Sequence, residues 1–164
     1  MKRELLDSNI YGKIIEKMDV DLVLNNLPQS GIIVYGLPII RKELRDTPRE
    51  IRVQGANLRN YLLRIYDKII GNHTLKIDNY TEMLAEAYFI TYKEIGGHIS
   101  KADMAKDFAI VASATLNNLD IVVSNDNKTM LSEKALKSYR IVNQIKKLKS
   151  PRFLNYEEFK KEIK

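Results

Sequence analysis

Asp7, Glu43, Asp107 and Asp126 each sit where an apolar pattern does not ordinarily place a charge. Carboxylates gathered in one pocket are the ligands a hard divalent cation prefers. The case is clearest for Asp107. The run from Ser100 to Leu116 has the three-and-four spacing of an amphipathic helix, and at about 100 degrees per residue Asp107 falls inside the stripe of Met104, Ile110, Val111 and Ala114. Lys106 and Ser113 fall to one side of that stripe. A lone carboxylate on such a face opposes folding unless it protonates, pairs or binds a cation. Glu43 repeats the arrangement, three and four residues after Ile40 and Ile39, and should point toward the apolar side.

The other two acids belong to strand ends. Asp7 follows Leu5-Leu6 and precedes Ser8-Asn9-Ile10, and Asp126 follows Ile121-Val122-Val123-Ser124-Asn125. In open α/β sheets ligands collect beyond the carboxyl ends of the strands, where both would emerge. Each acid also has a plainer reading. Asp7 is a good N-cap for the helix that begins near Ser8, and Asp126 between two asparagines looks like turn chemistry. Ser100-x-x-Asp103 resembles a capping box with Asp in place of Glu, so Asp103 either closes the helix start or supports Asp107 one turn on. Glu43 has Arg41 as a basic neighbour, on another face of its helix.

The order and contexts of these acids resemble a PIN-domain nuclease, a family that includes VapC-like toxins. The matching pieces are Leu5-Leu6-Asp7-Ser8-Asn9, Glu43 on the helix after the second strand, Asp107-Phe108-Ala109-Ile110-Val111-Ala112-Ser113-Ala114, and Val122-Val123-Ser124-Asn125-Asp126. They span most of the chain; each is degenerate, so specificity lies in their order and spacing. The resemblance implies a three-layer α/β/α sandwich with a central, mainly parallel sheet, formed by residues 1–164 as one PIN-like domain. It also implies an acidic pocket holding Mg²⁺ or Mn²⁺ and hydrolysis of RNA phosphodiester bonds, leaving 5′-phosphate and 3′-hydroxyl ends. By position, Asp7, Glu43, Asp107 and Asp126 match the catalytic acids, with Asp7, Asp107 and Asp126 holding metal. Ser124 matches the small hydroxyl residue before the last acid. Asn9 and Asp103 match more weakly and, with Ser8, would orient the carboxylates. Two departures are visible: residues 48–78 form a longer stretch than many short members possess, and the interval from Asp107 to Asp126 includes a slightly extended turn, Asn117-Asn118-Leu119-Asp120. Short PIN proteins are often the toxin half of a toxin–antitoxin pair, so the implied partners are RNA, an antitoxin protein and a second copy of the chain.

Composition narrows the alternatives. The chain has 164 residues and no cysteine, which suits one domain with one core and excludes a disulfide framework or thiolate metal site. Its two histidines, His73 and His98, lie near glycines in expected loops and do not suggest a zinc site. No signal-peptide core is visible, and no apolar run approaches the roughly 20 residues that span a bilayer. A cytoplasmic protein without membrane association is the simplest reading.

Helix and strand signals alternate, as in βαβ units. Strands are expected near Leu5, at Gly31–Tyr35, at Leu75–Ile77, at Ile121–Val123 and at Phe153–Leu154. Helices are expected through Ile10–Ile15, from Asp21 to Asn26, around Glu43 until Pro48, and through Leu58–Ile69 until Gly71. Further helices follow: from an Asn79 or Thr81 cap to Gly96-Gly97, around Asp107, from Ser132 to about Leu148, and from Tyr156 to Ile163.

The formal charge of +6 belongs outside an acidic pocket, and a basic rim would steer a polyanion inward. Arg41, Arg45 and Lys128 are the substrate-binding candidates, with Arg49 and Arg52 near them; the basic helix after Ser132 reads as a solvated face. Two rival functions stand beside the nuclease. One is a non-catalytic RNA-binding or scaffold protein with a PIN-like fold. The other is a different Mg²⁺-binding α/β protein, such as a phosphotransfer receiver or a phosphatase; the receiver lacks its acidic pair and late lysine here.

Overall fold

Apolar runs at Leu5-Leu6 and Ile121–Val123 become the two inner strands of one sheet, and Ile32–Tyr35 an edge strand beside them, because a strand covered on both faces has no polar side to present. The computed structural model describes all of residues 1–164. In chain order the elements are β1 (Lys2–Leu6), α1 (Ser8–Glu16), α2 (Val20–Asn26), β2 (Ile32–Tyr35), α3 (Pro38–Arg45), β3 (Arg52–Val53), β4 (Ala56–Asn57) and α4 (Leu58–Ile70). They continue with α5 (Asn79–Glu94), α6 (Lys101–Leu116), β5 (Ile121–Val123), α7 (Glu133–Ile145), β6 (Arg152–Leu154) and α8 (Tyr156–Glu162).

The main sheet has the order β2-β1-β5-β6 and every pairing in it is parallel. The chain steps one way from β1 to β2 and the other way from β5 to β6. Right-handed crossovers therefore put α1 and α7 on opposite faces, giving the three layers expected from the sequence. Between β1 and β5 the winding reverses. This reversal opens a crevice at the carboxyl ends of the two central strands, and Asp7 and Ser124 are the first residues beyond those ends.

Two packed groups of helices fix the walls of the crevice. On one side α1 packs on α3 and α4, with Tyr11 against Tyr66. On the other, Tyr88 of α5, Phe108 of α6 and Tyr139 of α7 meet edge to face, their ring centroids 5.0 to 6.3 Å apart, an arrangement favoured by the ring quadrupoles. Phe108 is fully buried there and so holds its neighbour Asp107 inward. The start of α3 is fixed by Gly36. A Cβ at this position would lie 2.2 Å from the Tyr66 hydroxyl, which itself donates to the Leu37 carbonyl.

The structure departs from the sequence reading in four places. Leu75–Ile77 is not a strand: the Leu75 N–H donates to the Gly36 carbonyl at 2.9 Å, and pairing stops at one Gly36–Thr74 bridge. The cap of α5 is Asp78, which accepts from the Thr81 N–H, so neither Asn79 nor Thr81 caps it. The long stretch after Pro48 contains an unexpected hairpin, β3–β4. Its turn residues Gln54 and Gly55 have φ of 52° and 77°, the two left-handed positions of a tight hairpin turn. Finally, Glu43 is exposed while Ile40 and Leu44 beside it are buried. It therefore leaves the apolar side it was expected to face. No helix is long and apolar enough to cross a membrane.

Candidate functional site

Asp7 is both a cap and a pocket residue. Its Oδ1 accepts from the Ser8 N–H at 2.8 Å, which starts α1. Its Oδ2 accepts from Asn9 Nδ2 and Ser124 Oγ, both at 2.8 Å. Asn9 in turn accepts the Asn125 N–H on Oδ1 at 3.1 Å, so the residues following β1 and β5 are laced together. Burial pushes the Asp7 carboxyl above its ordinary pKa, against the Ser124 bond and the positive charge of Lys106.

Asp126 also fills two roles. Its Oδ1 accepts from the backbone N–H groups of Lys128 at 3.0 Å and Thr129 at 2.9 Å, which is the turn chemistry its neighbours suggested. Its Oδ2 accepts from Thr129 Oγ1 at 2.6 Å. Burial acts to raise its pKa, but the Thr129 and Lys128 hydrogen bonds outweigh burial and leave it lowered.

Thr129 Oγ1 reaches Asp107 Oδ2 as well. One hydroxyl carries one proton and so donates to only one of the two carboxylates at a time. Of the two, Asp107 is the acid whose proton affinity is raised. Burial pushes it up to about 6, opposed by Thr129 and reinforced by the charges of Asp7 and Asp126. Two carboxylates on one hydroxyl are thus driven in opposite directions by their surroundings.

Glu43 joins from α3 by way of α6, through an ion pair with Lys106. Burial acts to lower the Lys106 pKa, but Glu43, Asp7 and Asp107 together raise it, so it stays an ammonium. Asp7, Asp107 and Asp126 all feel its charge.

In kind the donors suit Mg²⁺ or Mn²⁺: carboxylate and hydroxyl oxygens, with no thiolate or imidazole among them. Asp7, Asp107 and Asp126 are the carboxylates that would hold an ion. As the side chains stand, no three acids lie close enough together to do so. The cation among them is the Lys106 ammonium.

Chains of this architecture occur in solved structures, among them the following three. A chain in the crystal structure of VapBC2 from Rickettsia felis bound to a promoter DNA fragment aligns at 14% identity and a TM-score of 0.57, over 93% of this protein and 98% of that chain. A chain of DNA-bound VapBC from Salmonella typhimurium aligns at 15% identity and 0.56, over 95% and 99%. A chain of FitAB bound to an IR36 DNA fragment aligns at 17% identity and 0.54, over 93% and 94%. The fold is the PIN-domain fold. Identities this low leave the site to be argued from its own geometry. No family model and no curated protein matches the sequence.

Within this PIN fold the residues singled out in the sequence divide. Asp7, Ser8, Asn9, Ser124 and Asp126 share one hydrogen-bonded network, and Asp107 is joined to it through Thr129. Glu43 stands at the rim, held by Lys106 rather than by Arg41. Asp103 lies at the start of α6, where its N–H and carboxylate both bond Ser100 Oγ; no hydrogen bond links it to the other acids. Arg41 makes a bidentate pair with Asp67, both bonds 2.9 Å, so it is an engaged side chain, not a free rim cation. Arg45 and Lys128 are exposed.

Two pocket residues, Thr129 and Lys106, were not singled out by sequence reasoning. Thr129 had a local signal, since a side chain three residues after an Asp-initiated turn is carried back toward that Asp. Lys106 had a weaker one: it lies beside the apolar stripe of α6, where only the packing of α3 decides whether it meets solvent or an acid.

Proposed function

We propose that this protein is a metal-dependent endoribonuclease that acts as the toxin of a toxin–antitoxin pair. The observation that carries the reading is the linkage of Asp7, Asp126 and Asp107 through Ser124 and Thr129 beyond the carboxyl ends of the two central parallel strands. Bound Mg²⁺ or Mn²⁺ would supply Lewis-acid polarisation of the scissile phosphate and stabilise charge on the leaving oxygen.

The chain's own residues supply the rest. Asp7, Asp107 and Asp126 would hold the ion, while Ser8, Asn9, Ser124 and Thr129 fix the carboxylate rotamers by hydrogen bonds, as outer partners do in metal sites. Glu43, half-exposed and paired with Lys106, would orient or deprotonate an attacking water. Arg45 and Lys128, both exposed, would meet the phosphates. The antitoxin reading is supported by the assemblies named for the three similar chains, each a two-component complex on DNA.

The test is cleavage of end-labelled single-stranded and structured RNAs with Mg²⁺, Mn²⁺ or EDTA, beside an Asp107→Asn variant. Metal-dependent cutting lost in the variant is the expected result. Intact RNA under every metal, with RNA still bound, would favour the non-catalytic binding protein instead. Growth arrest on expression, relieved by a small copurifying protein encoded alongside, would support the toxin role.

A further inference from the structure

The pocket holds one feature that its proposed chemistry does not use: a permanent cation. Lys106 immediately precedes Asp107 on α6, yet its side chain is not free in solvent. It crosses to α3 and pairs with Glu43, 63 residues away in sequence, and is only 37% exposed. Glu43 is paired with this ammonium while Asp7, Asp107 and Asp126 feel its charge, and no three of the four acids gather closely enough to hold an ion. A divalent cation entering among Asp7, Asp107 and Asp126 meets a like charge that all three acids already feel, in a partly desolvated site where such repulsion is several times stronger than in water. The four-carbon stem of lysine lets that charge withdraw without moving the backbone.

We propose that Lys106 is the resident counter-ion of the pocket, and that a divalent metal loads by displacing its ammonium from Glu43. This rests on the metal-site reading above and adds to it a competition built into the chain. The pair joins α3 to α6, so the metal-free pocket stays assembled although its acids repel one another. On loading, Glu43 is released from its lysine and becomes available to water or to the ion. The lysine sets the threshold concentration at which the site fills, so metal affinity is lower than the acid set alone would give.

The test is direct Mn²⁺ binding, read by electron paramagnetic resonance of the free ion without substrate, for the wild type, Lys106→Met, Lys106→Arg and Asp107→Asn. Methionine keeps the length of the stem and removes the charge. The expected result is binding about tenfold tighter in Lys106→Met, near wild type in Lys106→Arg, and lost in Asp107→Asn. Tight binding by Lys106→Met with none by the wild type would support the proposal equally. Unchanged or weaker binding in Lys106→Met, with binding lost in Asp107→Asn, overturns the counter-ion role while leaving the metal site standing. Wild-type affinity in Asp107→Asn, or no binding by any variant, overturns the metal site and the proposal together. Thermal unfolding in EDTA identifies any variant that fails to fold; for Lys106→Met in that case, Lys106→Gln takes its place in the same titration.

Discussion

The Ser124 hydroxyl donates to Asp7 Oδ2 at 2.8 Å and ties the residue beyond β5 to the residue beyond β1. Ser124 is fully buried, and its oxygen also receives the Asp126 N–H at 3.1 Å. One hydroxyl thus sets the positions of two acids.

Ser124→Ala removes that link and leaves Asp7 buried with one donor fewer. Mn²⁺ affinity should fall by about 10- to 100-fold, the usual effect of losing an outer partner, with a stability loss of about 1–3 kcal/mol. Ser124→Thr should restore both. Metal titration and urea unfolding measure the two effects separately, and an alanine variant with wild-type affinity would count against the site as drawn.

Thr129→Val keeps the side-chain shape and deletes the hydroxyl between Asp107 and Asp126. RNA cleavage should drop at least tenfold, and Thr129→Ser should recover most of it. If valine cleaves as well as threonine, the hydroxyl has no part in setting the acids.

Asp107→Asn should lose cleavage and yet, without metal, be the more stable protein at pH 8. Asp107 titrates at about 6 in the fold against an ordinary 3.8. The folded state binds this proton more tightly than the unfolded state, so stability falls as pH rises from about 4 to about 6. The variant avoids that loss, a gain of up to about 3 kcal/mol that should vanish below pH 4. Denaturant unfolding in EDTA at pH 4 and pH 8 compares the two proteins; equal stability at pH 8 would contradict the burial argument.

Glu4 gives the same sign in a different place. It is fully buried in β1 with neither carboxylate oxygen hydrogen-bonded, and burial, with Glu162 nearby, lifts it to about 7. Ionising it therefore weakens the fold between about pH 4.5 and 7. Glu4→Met should raise stability at pH 8 by about 3 kcal/mol and change little at pH 4, read as thermal midpoints. A wild-type response at both pH values would mean that water or a cation reaches Glu4 in solution.

Much of the pocket was legible because its signals were local. A strand end followed by Asp places Asp7 and Asp126, and a charge inside the stripe of α6 places Asp107. Glu43 and Lys106 were not legible in the same way. Whether each faced the core, solvent or the other depended on how the tertiary fold brings Glu43 of α3 to Lys106 of α6, which no helical period records. Leu75–Ile77 read as a strand from its alternation, but Gly36 accepts only one residue of pairing before the chain turns to Asp78. Arg41 looked free because Asp67 lies 26 residues away on another helix.

The bond between Asp7 and Ser124 joins residues 117 positions apart. During synthesis at about 5–20 residues per second, Asp7 precedes its partner by roughly ten seconds. Through that interval the first strand and its acid exist without the other half of the pocket. Whatever chemistry the crevice performs is therefore withheld from the growing chain and begins only when the last parallel strands have been made.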